Sequence, residues 1–172
     1  MEGLLVAVAP FIGLLIAIWA VWHQSRDTHT SLGVQILRDL EKEFISGGTK
    51  RQCIRLATHY LRTKRRRPRS TAAFSRDSSV FDFFESVGLL LRRGVLDMEM
   101  VYSSFYYWFV PLWELAEPEV VAWRHAHDDS TYWRDCERMY DHLVKHDARQ
   151  RGIAVMKKTP AEQAIFLKEL SE

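Results

Sequence analysis

His125, His127, Asp128 and Asp129 crowd one short stretch of the chain, with His142 and His146 further along. Imidazoles and carboxylates are ligands for zinc, manganese or iron, and a four-residue interval puts His142 and His146 on one face of a helix. His125 and His127, two apart, project differently if their segment is helical, and no second ligand pair completes a zinc signature. A metal-dependent hydrolase on these six residues is therefore the weakest of three functional readings, and a solvated polar junction between helices is the stronger account. Glu114 and Glu117 can share a helix face and suit acid–base work, but Pro118 and the aromatic residues beside them read as a structural boundary. Cys53 falls on the apolar side of its segment, so it reads as an inert buried thiol rather than a nucleophile. There is no nucleophile elbow and no glycine-rich phosphate loop. No catalytic residue, cofactor-binding residue or cofactor is assigned, and the non-enzymatic reading is favoured.

The second constellation is electrostatic. Ten basic residues and no acidic one lie between Lys50 and Arg76, although the whole chain carries a formal charge of only +2. The densest part is Arg62, Lys64, Arg65, Arg66, Arg67 and Arg69, where Pro68 discourages helical continuation. These six are the candidates for an anionic partner, either lipid headgroups or nucleic acid. Nucleic acid is the less favoured, because no aromatic residue interleaves the run to stack on bases.

The third is aromatic. Val101, Phe105, Trp108, Phe109, Leu112 and Trp113 recur at helical spacing, and Tyr102, Tyr106 and Tyr107 widen the stripe. Most of such a stripe makes core. Tyr102, Tyr106, Tyr107 and Trp113 are the candidates for a surface that meets a protein partner.

Helices must position all three sets. Leu32, Ile36, Leu37, Leu40 and Phe44 predict one amphipathic helix, stopped by Gly47 and Gly48. Cys53, Ile54, Ala57, Tyr60 and Leu61 predict the next, with Arg51, Arg55 and Arg62 on another side. Ser79 and Asp82 suggest a capping box for a third helix carrying Val80, Phe83, Phe84, Val87 and Leu91. Asp97 caps a fourth, expected to change character at Pro111, with Pro118 opening a further short helix that carries Val120, Val121 and Trp123. A longer one is predicted from about Thr131, with Trp133, Cys136, Met139, Tyr140 and Leu143 on its buried side. Thr159, Pro160 and Glu162 start a terminal helix offering Ile165, Phe166 and Leu170 for docking.

Ahead of these helices, the nineteen residues from Leu4 to Trp22 contain no ionisable side chain. As a helix they would extend about 28 Å, close to the roughly 30 Å hydrocarbon thickness of a bilayer. Trp19 and Trp22 suit the headgroup boundary. A cleaved secretory signal fits less well, because Glu2 stands where a basic leader is expected and no clear small-x-small site follows. The short amino terminus and the basic excess after Lys42 favour an outside amino terminus and a cytoplasmic domain.

The segment from Phe83 through Gly94 to Asp97, followed by the aromatic helix through Trp113, resembles an uncharacterised family, domain of unknown function 4760. Phe83, Phe84, Gly88, Leu89, Gly94, Asp97, Tyr102, Phe105 and Trp113 carry the resemblance, which extends from the amino-terminal segment to about Tyr140. It implies a small helical domain, often with a membrane segment, and supplies no catalytic residue or substrate.

The expectation is thus an all-α protein: a transmembrane anchor over 1–24, a compact multi-helix cytoplasmic domain over 25–158 with its basic segment near 62–69, and a carboxyl-terminal helix over 159–172. The leading function is a single-pass inner-membrane interaction or regulatory module, with the bilayer and a protein as partners. The alternatives are a tethered module for anionic lipid or nucleic acid, and the metal-dependent hydrolase.

Overall fold

The computed structural model describes residues 19, 31–63, 78–155, 159, 162–163, 165 and 168–169. Every regular element among them is an α-helix. We number these as α1 over 31–46, α2 Thr49–Thr63, α3 Ser79–Arg92, α4 Met98–His127 and α5 Arg134–Arg151.

α4 is the axis of the core. Its buried residues include Val101, Phe105, Phe109, Leu112, Trp113, Ala116 and Val120, and α2, α3 and α5 all pack on it. Pro111 and Pro118 both lie inside this single helix, contrary to the expected break. Each proline lacks the N–H that would bond four residues back, to Tyr107 and Glu114 respectively, at a cost of about 3 kcal/mol in an exposed helix interior. Around Pro111 the helix is buried on several sides, and at the exposed Pro118 the buried neighbours Ala116, Glu119 and Val120 keep it on the core, so tertiary packing carries the helix through both.

Aromatic contacts tie α1 and α3 to this axis. Phe44 of α1 lies 5.7 Å from Phe83, 5.8 Å from Phe105 and 5.4 Å from Trp108, measured between ring centroids. Phe84 and Phe109 are closer still, at 4.8 Å. The α1 stripe is correctly read from Ile36 to Phe44 but overextended at its start, where Leu32 is 47 % exposed. In α2, Cys53, Ala57 and Tyr60 are buried as the spacing predicts, and Leu56 joins them in the core.

α3 and α5 approach closely at Gly88, where a Cβ would meet the Asp135 carbonyl oxygen at 2.5 Å. That proximity lets Glu85 accept the Asp135 N–H at 3.1 Å and the Cys136 N–H at 2.8 Å. The carboxylate thus satisfies two of the amides that a helix amino terminus leaves open, and its charge complements the helix dipole there. Arg92 closes the same junction with a two-pronged bond to Asp135, 2.8 and 3.1 Å long.

The local signals are partly redirected. Asp82 does not complete a capping box: it accepts from the Trp133 indole at 2.8 Å, while Ser79 donates to Gln52. Asp97 does cap α4, accepting the Met100 N–H at 2.8 Å. α5 begins at Arg134 rather than Thr131, because Asp129 holds Thr131 in a turn and Trp133 takes a left-handed conformation. Thr159 and Glu162 form the expected reciprocal cap. Ile165, expected to dock, is 60 % exposed, and the inward residue beside it is Gln163. The side chains of Phe166 and Leu170 lie outside the described residues.

The single-pass architecture requires correction. Among the described residues no helix is long and apolar enough to cross a membrane. α4 has the length, but Glu99, Glu114, Glu117, Glu119 and Arg124 interrupt it, and α5 is densely charged. Leu4 to Trp22, on which the anchor rested, lie outside the described residues apart from Trp19, which is helical. The bilayer as partner, the outside amino terminus and the inner-membrane placement are withdrawn with the span.

Candidate ligand-binding cleft

Along α4, buried carboxylates are matched to phenols from neighbouring helices. Tyr60 of α2 donates to Glu119 at 3.0 Å, and Tyr140 of α5 donates to Glu114 at 3.1 Å. The polarity reverses one turn from the α4 start, where Tyr102 donates to Asp147 of α5 at 2.7 Å. These bonds answer the requirement that a buried polar group be hydrogen-bonded, and they fix the rotation of α4 against α2 and α5.

Two of these pairs border a cleft of about 330 Å³ between α4, α5 and the carboxyl-terminal segment. Tyr106, Val110 and Glu114 line it from α4. Val144, Asp147, Ala148 and Arg151 line it from α5, and Ile153 to Val155, Thr159 and Glu162 close the third side. The walls are mainly apolar, with a few convergent polar groups, which is the make-up of small-ligand sites.

The polar groups divide into two clusters. Asp147 accepts from Tyr102 and Tyr106 and from Arg151 Nε at 2.8 Å. Burial alone would push its carboxyl up, but the two phenols and the guanidinium outweigh that and hold it below the usual aspartate range. Burial, followed by the bond to Asp147, pushes the Tyr106 phenol up. It is consequently a hydrogen-bond donor at neutral pH rather than a base. In the second cluster Glu114 is only 7 % exposed and accepts from Tyr140 on one oxygen and from Gln163 Nε2 on the other, at 3.0 Å. Both donors are neutral.

Of the aromatic surface candidates, Tyr106 lines the cleft and Tyr102 braces Asp147 behind it. Tyr107 faces outward and donates to Glu169 at 2.9 Å. Trp113 is 2 % exposed, packed between Phe81 and Phe109. Of the anionic-partner candidates, Arg62 belongs to the α2 backbone, and Lys64, Arg65, Arg66, Arg67 and Arg69 lie outside the described residues.

The metal reading is overturned: among the described residues no group of three or more His, Cys, Asp and Glu could hold a metal ion. His127 stacks on Trp123 at 4.0 Å and bonds its carbonyl. Asp128 is the left-handed carboxyl-terminal cap of α4, and Asp129 serves the Thr131 turn. His125 sits in the last turn of α4. His146 pairs with Glu99 at 3.1 Å, near Tyr102, while His142 lies in a different cleft. The hydrolase reading falls with this dispersal, as the anchored interaction module falls with the membrane span.

Asp147 and Arg151 carry no local motif that marks them as cleft residues, and in the sequence Glu114 stands only as half of a boundary pair. Asp147 does leave a signal: it continues the spacing of Tyr140, Leu143 and Val144, and so places a carboxylate on the buried side of an amphipathic helix.

Seven of the nine positions that carry the family resemblance have structural duties here. Phe83, Phe84, Phe105 and Trp113 build the core, Gly88 admits Asp135, Asp97 caps α4 and Tyr102 holds Asp147. Comparison with curated proteins and with solved structures finds no match. A family model matches residues 7–143, most of the chain, and the protein belongs to that family, the domain of unknown function DUF4760.

Proposed function

We propose that this domain is a binding module whose cleft between α4, α5 and the carboxyl-terminal segment takes an amine- or guanidinium-bearing ligand with a short apolar body. The observation that carries the reading is Glu114, a buried carboxylate on the cleft wall whose two hydrogen bonds among the described residues both come from neutral donors. A cationic donor makes a stronger bond to a carboxylate than a neutral amide does. The ligand's charged end therefore replaces Gln163 at Glu114, and its apolar part lies along Val110, Val144 and Ala148. Asp147 is already matched by Arg151 and contributes less net charge.

Binding on these terms displaces one bond of the carboxyl-terminal segment. The test is titration of the full chain with n-hexylammonium chloride, followed by nuclear magnetic resonance, with n-hexanol as the uncharged control. Selective shifts at Val110, Glu114, Val144 and Gln163 with the ammonium are expected. Equal response to hexanol, or no response in the cleft, removes the proposal.

A further inference from the structure

A second cleft, of about 500 Å³, opens between the end of α3 and the middle of α5 on residues unconnected with the Glu114 site. Among the described residues its ionisable lining is basic in type: Arg92, Arg138 and His142. Its apolar lining is Leu91, Met98 and Met139. Gly88 completes the wall at the point where the two helices nearly touch.

The two guanidinium groups are held by a shared anchor. Arg92 Nε donates to Asp135 Oδ1 at 2.8 Å and Arg92 Nη2 donates to Oδ2 at 3.1 Å, while Arg138 Nη1 donates to the same Oδ1 at 3.2 Å. One carboxylate thus faces two cations. Glu85, the other carboxylate close to Arg92, is engaged by the first amides of α5. A guanidinium has five N–H donors. The fork to Asp135 uses two of those on Arg92 and the single bond uses one on Arg138, so each side chain is oriented and retains donors.

His142 lies one turn beyond Arg138 on α5 and extends the polar edge along the helix. Met98, half-buried, supplies adaptable apolar surface next to these donors, and Met139 backs it from the core. The site is therefore amphiphilic, with an oxyanion requirement at one end and room for a short chain at the other.

We infer that this cleft binds a small organic oxyanion, a carboxylate or a phosphate monoester, with its oxygens on Arg92 and Arg138 and its hydrocarbon part against Leu91 and Met98, above the buried Met139. Planar two-point recognition of such groups is what an oriented guanidinium does best.

The full chain is titrated separately with sodium hexanoate, hexyl phosphate and n-hexanol, and resonances of Leu91, Arg92, Met98 and Met139 are followed. Binding of either acid at these residues, with hexanol at least about tenfold weaker, is the expected result. Arg138→Gln removes an exposed cation and should weaken acid binding about tenfold. His142→Gln, also exposed, serves as the second variant if the first does not fold, and should weaken binding in the same direction. Failure of both acids to shift these resonances, hexanol binding as well as the acids, or unchanged affinity in a folded variant each overturns the inference.

Discussion

Gly88→Ala isolates the contact that brings α3 and α5 together. The added methyl would lie 2.5 Å from the Asp135 carbonyl oxygen, 2.8 Å from its carbon and 3.3 Å from its Cβ. Ordinary carbon–oxygen contacts begin near 3.3 Å, so the helices must part locally by roughly 0.8 Å. The two nearest obstructing atoms are backbone and the third is a Cβ, so no rotamer change relieves them. Overpacking of this kind costs about 1–3 kcal/mol. The shift also stretches the Glu85 bonds to the α5 amides and the Arg92–Asp135 fork, and weakening charge-assisted bonds adds about 1.5–3 kcal/mol. Alanine's better helix propensity returns about 1 kcal/mol. The net expectation is a loss of about 1.5–5 kcal/mol, or a fall in Tm of roughly 3–20 °C for a chain of this size. Urea and thermal unfolding of the full chain, followed by circular dichroism, measure it. A variant as stable as the parent, or more stable, would refute the close-approach reasoning.

Gly94→Ala probes a different constraint, since nothing lies within 4 Å of its added methyl but φ is +70°; a loss of about 1–2 kcal/mol is expected in the same assay. Burial pushes both the Cys53 and Cys136 thiols up, so neither should react with a disulfide reagent near neutral pH until denaturant unfolds the core. The Arg92 bond first, and Arg138 with it, hold Asp135 below its ordinary range, and Asp147 is likewise depressed. Unfolded aspartate titrates near 3.9, so below that value the unfolded chain binds more protons than the native one. Stability from these two groups is therefore complete above about pH 5 and declines as pH falls through the depressed native values. Acid unfolding of Asp135→Asn should show a shallower decline than the parent.

The helical architecture was legible wherever apolar spacing and capping residues agreed. Phe83, Phe84 and Val87 in α3 and Cys136, Met139, Tyr140 and Leu143 in α5 fall on the buried sides that period requires. Asp97 and the Thr159–Glu162 pair announce their helix starts for the same local reason. Failures arise where long-range partners decide. Pro111 and Pro118 signal breaks, but packing keeps α4 whole, and Asp82 is taken from its local cap by the Trp133 indole 51 positions away. The cleft was barely legible because Glu114, Asp147, Arg151 and Gln163 are scattered along the chain and meet only once α5 folds back on α4. Apolarity between Leu4 and Trp22 is a property of composition, and no described helix carries it into a membrane span.

The central claim rests on the charge of Glu114, and calorimetric titration of n-hexylammonium into the parent chain and into Glu114→Gln tests it directly. The variant keeps the side chain's shape and its capacity to bond Tyr140 while removing the carboxylate. Saturable binding to the parent and affinity about tenfold weaker for the folded variant, the scale of one charge-assisted bond, are expected. Equal affinity for the two chains, or no binding to the parent, would contradict it.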